Sequence, residues 1–338
     1  MRSVYLILGI GILVAVIVDI LWTTLWVDGG SGPIASRLTS AVWRGLRIAS
    51  NDRSRVLSVA GPLILTLTLA TWVGLLWIGW SFLFAGSGQA LLDTRTGDPA
   101  TWSGRFYYVA YTMFTNGNGD YTPNGATWEI ASSFTTATGM LFVTLGVSYV
   151  LSVLGAVSQK RSFASSVTGL GTRSESFVRT GWTESEADFR GITLSLDRLA
   201  SELGVLAEQH KSYPILHYYH SETGEQASAM AVPIFDDALT IFRYGVPADA
   251  QPRGTLIKSG RSNVDRYLET LDTAYIEAAN ETPPSPDLER LREDNIPTVA
   301  DDAFDDALED VAERRRKLLG VVEADAWHWP PEDELGDS

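Results

Sequence analysis

Three long apolar runs constrain this chain before anything else: residues 4–27, 56–85 and 126–157. Each reaches the ~20 apolar residues that a helix needs to cross a hydrocarbon layer. Inside such a layer every backbone N–H and C=O must be satisfied within the protein, so the three runs are expected to be transmembrane helices. A cleaved leader does not fit the first run. It is too long, its only basic flank is Arg2, and no small-residue cleavage site follows it. Trp22 and Trp26 near its end fit an interfacial aromatic belt. Asp19 is the one acid inside that span. An acid at such depth costs roughly 2.5–3.5 kcal/mol and needs a partner. We expect a structural pairing with Thr66, Thr68 or a loop arginine, with a role in gating as the alternative.

Charge sets the expected topology. The segment after the first run carries Arg37, Arg44, Arg47, Arg53 and Arg55 against Asp28 and Asp52. Excess arginine marks a cytoplasmic loop. Within it Ile34, Leu38, Val42 and Leu46 recur every four residues, with Trp43 beside them. That pattern suits a helix lying on the inner membrane surface, or an ordinary amphipathic loop helix. The second run returns to the outside, the third comes back in, and Lys160 and Arg161 anchor its inner end. The first span then starts outside. The expected divisions are a first span over 1–27, an interfacial segment over 28–56, a third part over 57–158 and an acidic helical cytoplasmic domain over 159–338.

Between the second and third runs lies an aromatic stretch, residues 102–114, too short to span. It leads straight into Thr115, Asn116, Gly117, Asn118, Gly119 and Asp120. Gly117 and Gly119 lack Cβ and can adopt φ > 0. Alternating residues of that kind can point successive carbonyls one way, and a ring of carbonyls can replace the water shell of a cation. Irregular backbone survives at membrane depth only where protein buries it or it lines a water-filled path. A re-entrant helix and loop meets that condition. A plain turn between two helices is the bland alternative. A calcium loop is not, because that motif needs more acids and a closing glutamate.

This segment resembles the pore helix and selectivity filter of potassium channels, whose filter reads Thr-Val-Gly-Tyr-Gly-Asp. The threonine, both glycines and the aspartate match; Asn116 and Asn118 stand where that family has valine and tyrosine. The resemblance covers about residues 57–158. It implies a re-entrant pore helix and filter between an outer and an inner helix. With the first apolar run and the amphipathic segments after Lys160, the chain is expected to be an all-α membrane protein with three transmembrane helices and a helical cytoplasmic domain. The resemblance further implies a homotetramer in the plasma membrane, since one filter per chain cannot enclose an ion. The permeant species would be potassium or another monovalent cation, with no cofactor. Thr115 would offer the innermost ligand, Asn116, Gly117 and Asn118 the next carbonyls, and Asp120 a ring of charge that concentrates cations at the outer mouth. Asn118 could hydrogen-bond Tyr107, Tyr108 or Tyr111 of the pore helix. In the third span Thr135, Thr138, Gly139, Phe142 and Gly146 would line or gate the inner cavity. Gly139 and Gly146 either permit bending or let helices pack closely. Because of the two asparagines, a weakly selective cation channel is the alternative. A membrane sensor or scaffold with a degenerate pore is the rival from another class.

The remaining sequence excludes other functions. Net charge is −15 with a sequence pI near 4.7, which argues against a nucleic-acid partner. The chain has no cysteine, hence no disulfide or thiolate metal site. Lys160, Lys211, Lys258 and Lys317 are its only lysines, and scarce lysine with abundant acid is the composition of a salt-loving prokaryotic protein. Gly169-Leu170-Gly171 lacks the third glycine and the flanking strand of a dinucleotide site. Thr183 and Glu186 have capping-box spacing before Phe189, Ile192, Leu196, Leu199 and Leu203. Further helices are expected near 225–243, 261–279 and 299–320. His217 and His220, three apart, invite a metal reading but have no third ligand at a compelling position, so a packed aromatic helix start is preferred. No catalytic constellation stands out, so an enzyme is not expected. The acidic tail over 330–338 is expected to be disordered.

Overall fold

The computed structural model describes residues 2–27, 30–50, 53–185, 187–272 and 276–329. Asp28, Asp52, Glu186 and the tail over 330–338 therefore lie outside the described residues. The chain forms two compact units. One comprises residues 1–42 and 62–153; the other comprises 43–61 and 154–338.

The first unit contains the helices α1 (Arg2–Leu25), α4 (Ala60–Ala85) and α6 (Ala126–Thr168), of which the last two run on into the second unit. Three helices, Arg2–Leu25, Ser54–Ala85 and Ala126–Thr168, are long and apolar enough to cross a membrane. The last outruns the expected 126–157 and continues unbroken past Lys160. The core is aromatic and falls on one face of α4. Trp72, Leu76, Trp80 and Phe84, each four apart, are buried, as a period of 3.6 requires. They meet Leu13, Val16 and Ile20 of α1 and Tyr108, Val109 and Met113 of α5 (Trp102–Met113). Gly9 lets α1 approach α4 backbone to backbone: a Cβ there would sit 2.5 Å from the Leu83 nitrogen.

Asp19 is fully buried and finds none of its expected partners. It accepts hydrogen bonds from the Ile34 amide (2.7 Å), the Ala35 amide (3.3 Å) and Trp72 Nε1 (2.8 Å). Those amides are orphan donors at the start of α2 (Pro33–Ser50), the groups that a carboxylate caps best. Along α2, Ala35, Thr39 and Trp43 are buried.

The second unit is helical and surrounds α9 (Ser228–Thr240), every residue of which is buried. A helix enclosed on all sides must neutralise its own acids. Asp236 receives Arg314, and Asp237 receives Arg315 through both oxygens at 3.0 Å, the two arginines lying on α13 (Ala312–Ala324). α8 (Thr193–Ser212) packs its Leu196, Leu199, Leu203 and Leu206 into this core beside Tyr267 and Leu268 of α10 (Gly254–Asp272).

Local signals moved the expected boundaries. Thr183 caps no helix. Its amide bonds the Asp188 carbonyl at 3.0 Å, and α8 begins ten residues later. The stretch 299–320 is two helices, α12 (Asp301–Asp310) and α13, broken at Val311 (φ −109°). His217 lies in a 3-10 turn, Pro214–Tyr218, and packs on Tyr218, while His220 stacks on Trp327 and faces Asp325. Among the described residues no group of three or more His, Cys, Asp or Glu could hold a metal.

Candidate functional site

The loop over 115–120 is positioned from both ends. On its inner side α5 begins at an N-cap, where Thr101 accepts from the Gly104 amide at 3.2 Å. The helix is set by Trp77 Nε1, which donates to the Phe106 carbonyl, and by the short Tyr108–Ser132 hydroxyl contact. Its last turn is tied down by the Asn116 amide, which donates to the Tyr111 carbonyl at 2.7 Å. On the outer side the chain leaves as β2 (Tyr121–Pro123), paired antiparallel with β1 (Leu91–Asp93), Leu92 opposite Thr122. Thr94 Oγ1 donates to the Gly119 and Asp120 carbonyls, and the Thr94 amide adds a bond to Asp120.

Between these anchors the backbone alternates. Thr115, Gly117 and Gly119 all have positive φ, at 61°, 61° and 77°. Positive φ thus recurs at every second residue over 115–119. For the two glycines this costs little. For Thr115, β-branched, it is an outlier of the sort that persists only where its surroundings impose it.

The side chains form a hydrogen-bonded chain along the back of the loop. Asn116 Nδ2 donates to Asn118 Oδ1 (2.9 Å), Asn118 Nδ2 donates to Tyr107 Oη (2.6 Å), and Tyr107 Oη donates to Asp120 Oδ2 (2.9 Å). The bond expected from Asn118 to a helix tyrosine is therefore present, and its partner is Tyr107. Tyr111 Oη takes another task, donating to the Tyr121 carbonyl. Residues 115–119 are exposed in the single chain.

The third-span residues pack within the chain. Thr135, Gly139, Phe142, Gly146, Tyr149 and Val153 are buried. Their alternating spacing of four and three makes a packing seam. Phe142 meets Trp72 edge-on, and Thr138 Oγ1 accepts from Trp80 Nε1 at 2.9 Å. A Cβ on Gly139 would fall 2.0 Å from the Met113 carbonyl oxygen, whereas one on Gly146 would meet nothing closer than 3.7 Å. So Thr135, Gly139, Phe142 and Gly146 are buried within their own chain, with Thr138 half-buried beside them. Gly139 serves close packing against the end of α5. The exposed residues of α6 include the small Ser133, Ala137, Thr144, Ser148 and Gly155 among bulkier ones such as Phe134, Met140, Val147 and Leu151. Thr94 was missed, because a threonine in a polar turn gives no hint that it will meet a loop 25 residues on.

Against known proteins, the chain is 44% identical over 334 residues to the uncharacterized membrane protein YdjJ of Bacillus subtilis (strain 168). The match takes in 99% of this chain and 97% of that relative. No protein-family model matches the chain, and no solved structure does.

Proposed function

The chain belongs to the family of the membrane protein YdjJ of Bacillus subtilis, and we propose that it is a potassium-channel-like cation channel of the plasma membrane. Four copies around one axis would bring four 115–120 loops together, closed by cyclic symmetry. A cation arriving from outside would meet a ring of Asp120 carboxylates, which raises its local concentration. It would then exchange water for the carbonyls of Asn118, Gly117, Asn116 and Thr115. The Gly119 carbonyl, already engaged by Thr94, would contribute less. On the inner side the small exposed residues of α6, such as Ser133, Ala137, Thr144 and Ser148, would line the path. The C-terminal unit would lie in the cytoplasm.

The observation that carries this reading is the alternation of positive φ at Thr115, Gly117 and Gly119. A surface turn needs one or two such residues. A coordinating stack needs every second one. The two asparagines favour weak selectivity as a second reading, because a polar hydrogen-bonded chain, not a packed ring, holds the back of the loop.

Purified protein in liposomes is expected to pass potassium. Gly117→Ala with Gly119→Ala is the decisive variant. A Cβ at either position meets nothing within 4 Å, so the change acts on backbone conformation alone, at about 1–2 kcal/mol per residue. Flux should vanish while folding persists. Flux that survives in the double variant, or wild-type protein that passes no cation, refutes the proposal. Reversal potentials in mixed potassium and sodium separate the selective from the weakly selective form.

A further inference from the structure

The Lys160 side chain is 3% exposed. Its Nζ donates to the carbonyls of Leu216 (2.9 Å) and Tyr219 (3.0 Å). A buried ammonium is costly unless its donors are met. Here main-chain oxygens of one short turn, Pro214–Tyr218 and the residue after it, meet them. That turn also holds other parts of the same unit. The Tyr218 ring packs edge-on against Trp43 at 5.7 Å. The Tyr219 ring covers Gly61 near the start of α4, so closely that a Cβ there would lie 2.5 Å from the ring. Next to it His220 faces Asp325 at 3.3 Å and stacks on Trp327. One turn therefore binds the first residues of α4, the far end of α6 and the end of α13.

We propose that Lys160 and the 214–219 turn form a clasp that sets the opening of the conduction path, by holding the end of α6 in one place. This rests on the channel reading above. α6 is unbroken from Ala126 to Thr168, so a shift or rotation at Lys160 is passed along the helix, as in other transitions built on helix shifts. A methionine of similar length would fill the space. An ammonium held by two carbonyls also fixes the rotation of the helix, and it lets go only when its charge is solvated elsewhere, which gives two discrete states. Lys160 touches no ion and is a positioning residue.

The test is single-channel recording of the full-length protein in planar bilayers, with Lys160→Met, Gly61→Ala and the pair. Each single variant should change open probability about 5- to 150-fold in the same direction, with unitary conductance and reversal potential at wild-type values. The pair should do no more than the larger single effect. A staple needed only for folding would leave open probability unmoved. Folded variants with wild-type open probability, or strictly additive effects, overturn the clasp. Should Lys160→Met not assemble, Gly61→Ala alone is read the same way. If the wild-type protein passes no ions, the channel reading falls and hydrogen exchange judges the clasp by itself. Gly61→Ala should then speed exchange around Lys160, and unchanged exchange there overturns the proposal.

Discussion

Replacing Asp19 by alanine tests whether one carboxylate holds α2 to the membrane helices. Three donors converge on it: the Ile34 amide at 2.7 Å, Trp72 Nε1 at 2.8 Å and the longer Ala35 amide at 3.3 Å. Hydrogen bonds to a charged group contribute about 1.5–3 kcal/mol each, and a buried donor left without one costs about 1–3 kcal/mol. Trp72 is 1% exposed, so water cannot replace the lost acceptor at its indole. The two amides start a helix and recover part of their loss. Two short bonds and one weak one therefore amount to roughly 3–6 kcal/mol. That is a large share of a typical native stability of about 5–15 kcal/mol. Asp19→Asn keeps one acceptor oxygen and should lose about half as much. Thermal unfolding in detergent, followed by tryptophan fluorescence, measures both. A double-mutant cycle with Trp72→Phe adds a sharper test, because phenylalanine removes the orphaned donor. Asp19→Ala with Trp72→Phe should cost less than the sum of the singles. An Asp19→Ala variant within about 1 kcal/mol of wild type, or a strictly additive pair, would sink the argument.

Two further outcomes follow from packing and burial. Gly139→Ala should destabilise by about 2–3 kcal/mol or more, since its Cβ would overlap the Met113 carbonyl, whereas Gly146→Ala, with room to spare, should leave the unfolding midpoint unchanged; equal effects would refute the seam. His210 is buried, and desolvation, aided by the Lys160 charge, pulls its pKa down to about 3. Its folded pKa thus lies below the unfolded value near 6.5, so its stabilising share is complete above pH 6.5 and is lost as pH falls, at up to about 1.4 kcal/mol per unit. Unfolding in detergent between pH 7.5 and 5 should show His210→Gln with a shallower dependence than wild type, and parallel curves would exclude His210 as a source.

What could be read from the sequence depended on whether the deciding interaction leaves a side-chain signature. The three long helices did, because a bilayer-length apolar run has few other solutions. Gly117 and Gly119 did, since only glycine makes repeated positive φ cheap. Thr115 shares their conformation with no such mark; a β-branched residue argues against it, and the tied ends of the loop impose it regardless. Asp19 was legible as a buried acid in need of partners, but two of its three donors are backbone amides, which every residue possesses. In α6 the mixture of threonine, glycine and phenylalanine at 135, 138, 139 and 142 suits a cavity wall and a tight seam alike, and within the single chain these residues pack as a seam. The exposed positions are mixed as well, with Met140 and Leu151 among them. Ser133, Ala137, Thr144, Ser148 and Gly155 are all small, and all are exposed in the single chain. Bulky apolar positions such as Ile130, Phe134 and Leu141 stand close beside them. Small and hydroxyl-bearing residues scattered along an exposed apolar helix let another helix approach closely. On a helix that meets its own copies around a wet axis they would serve twice, in close approach and in contact with water.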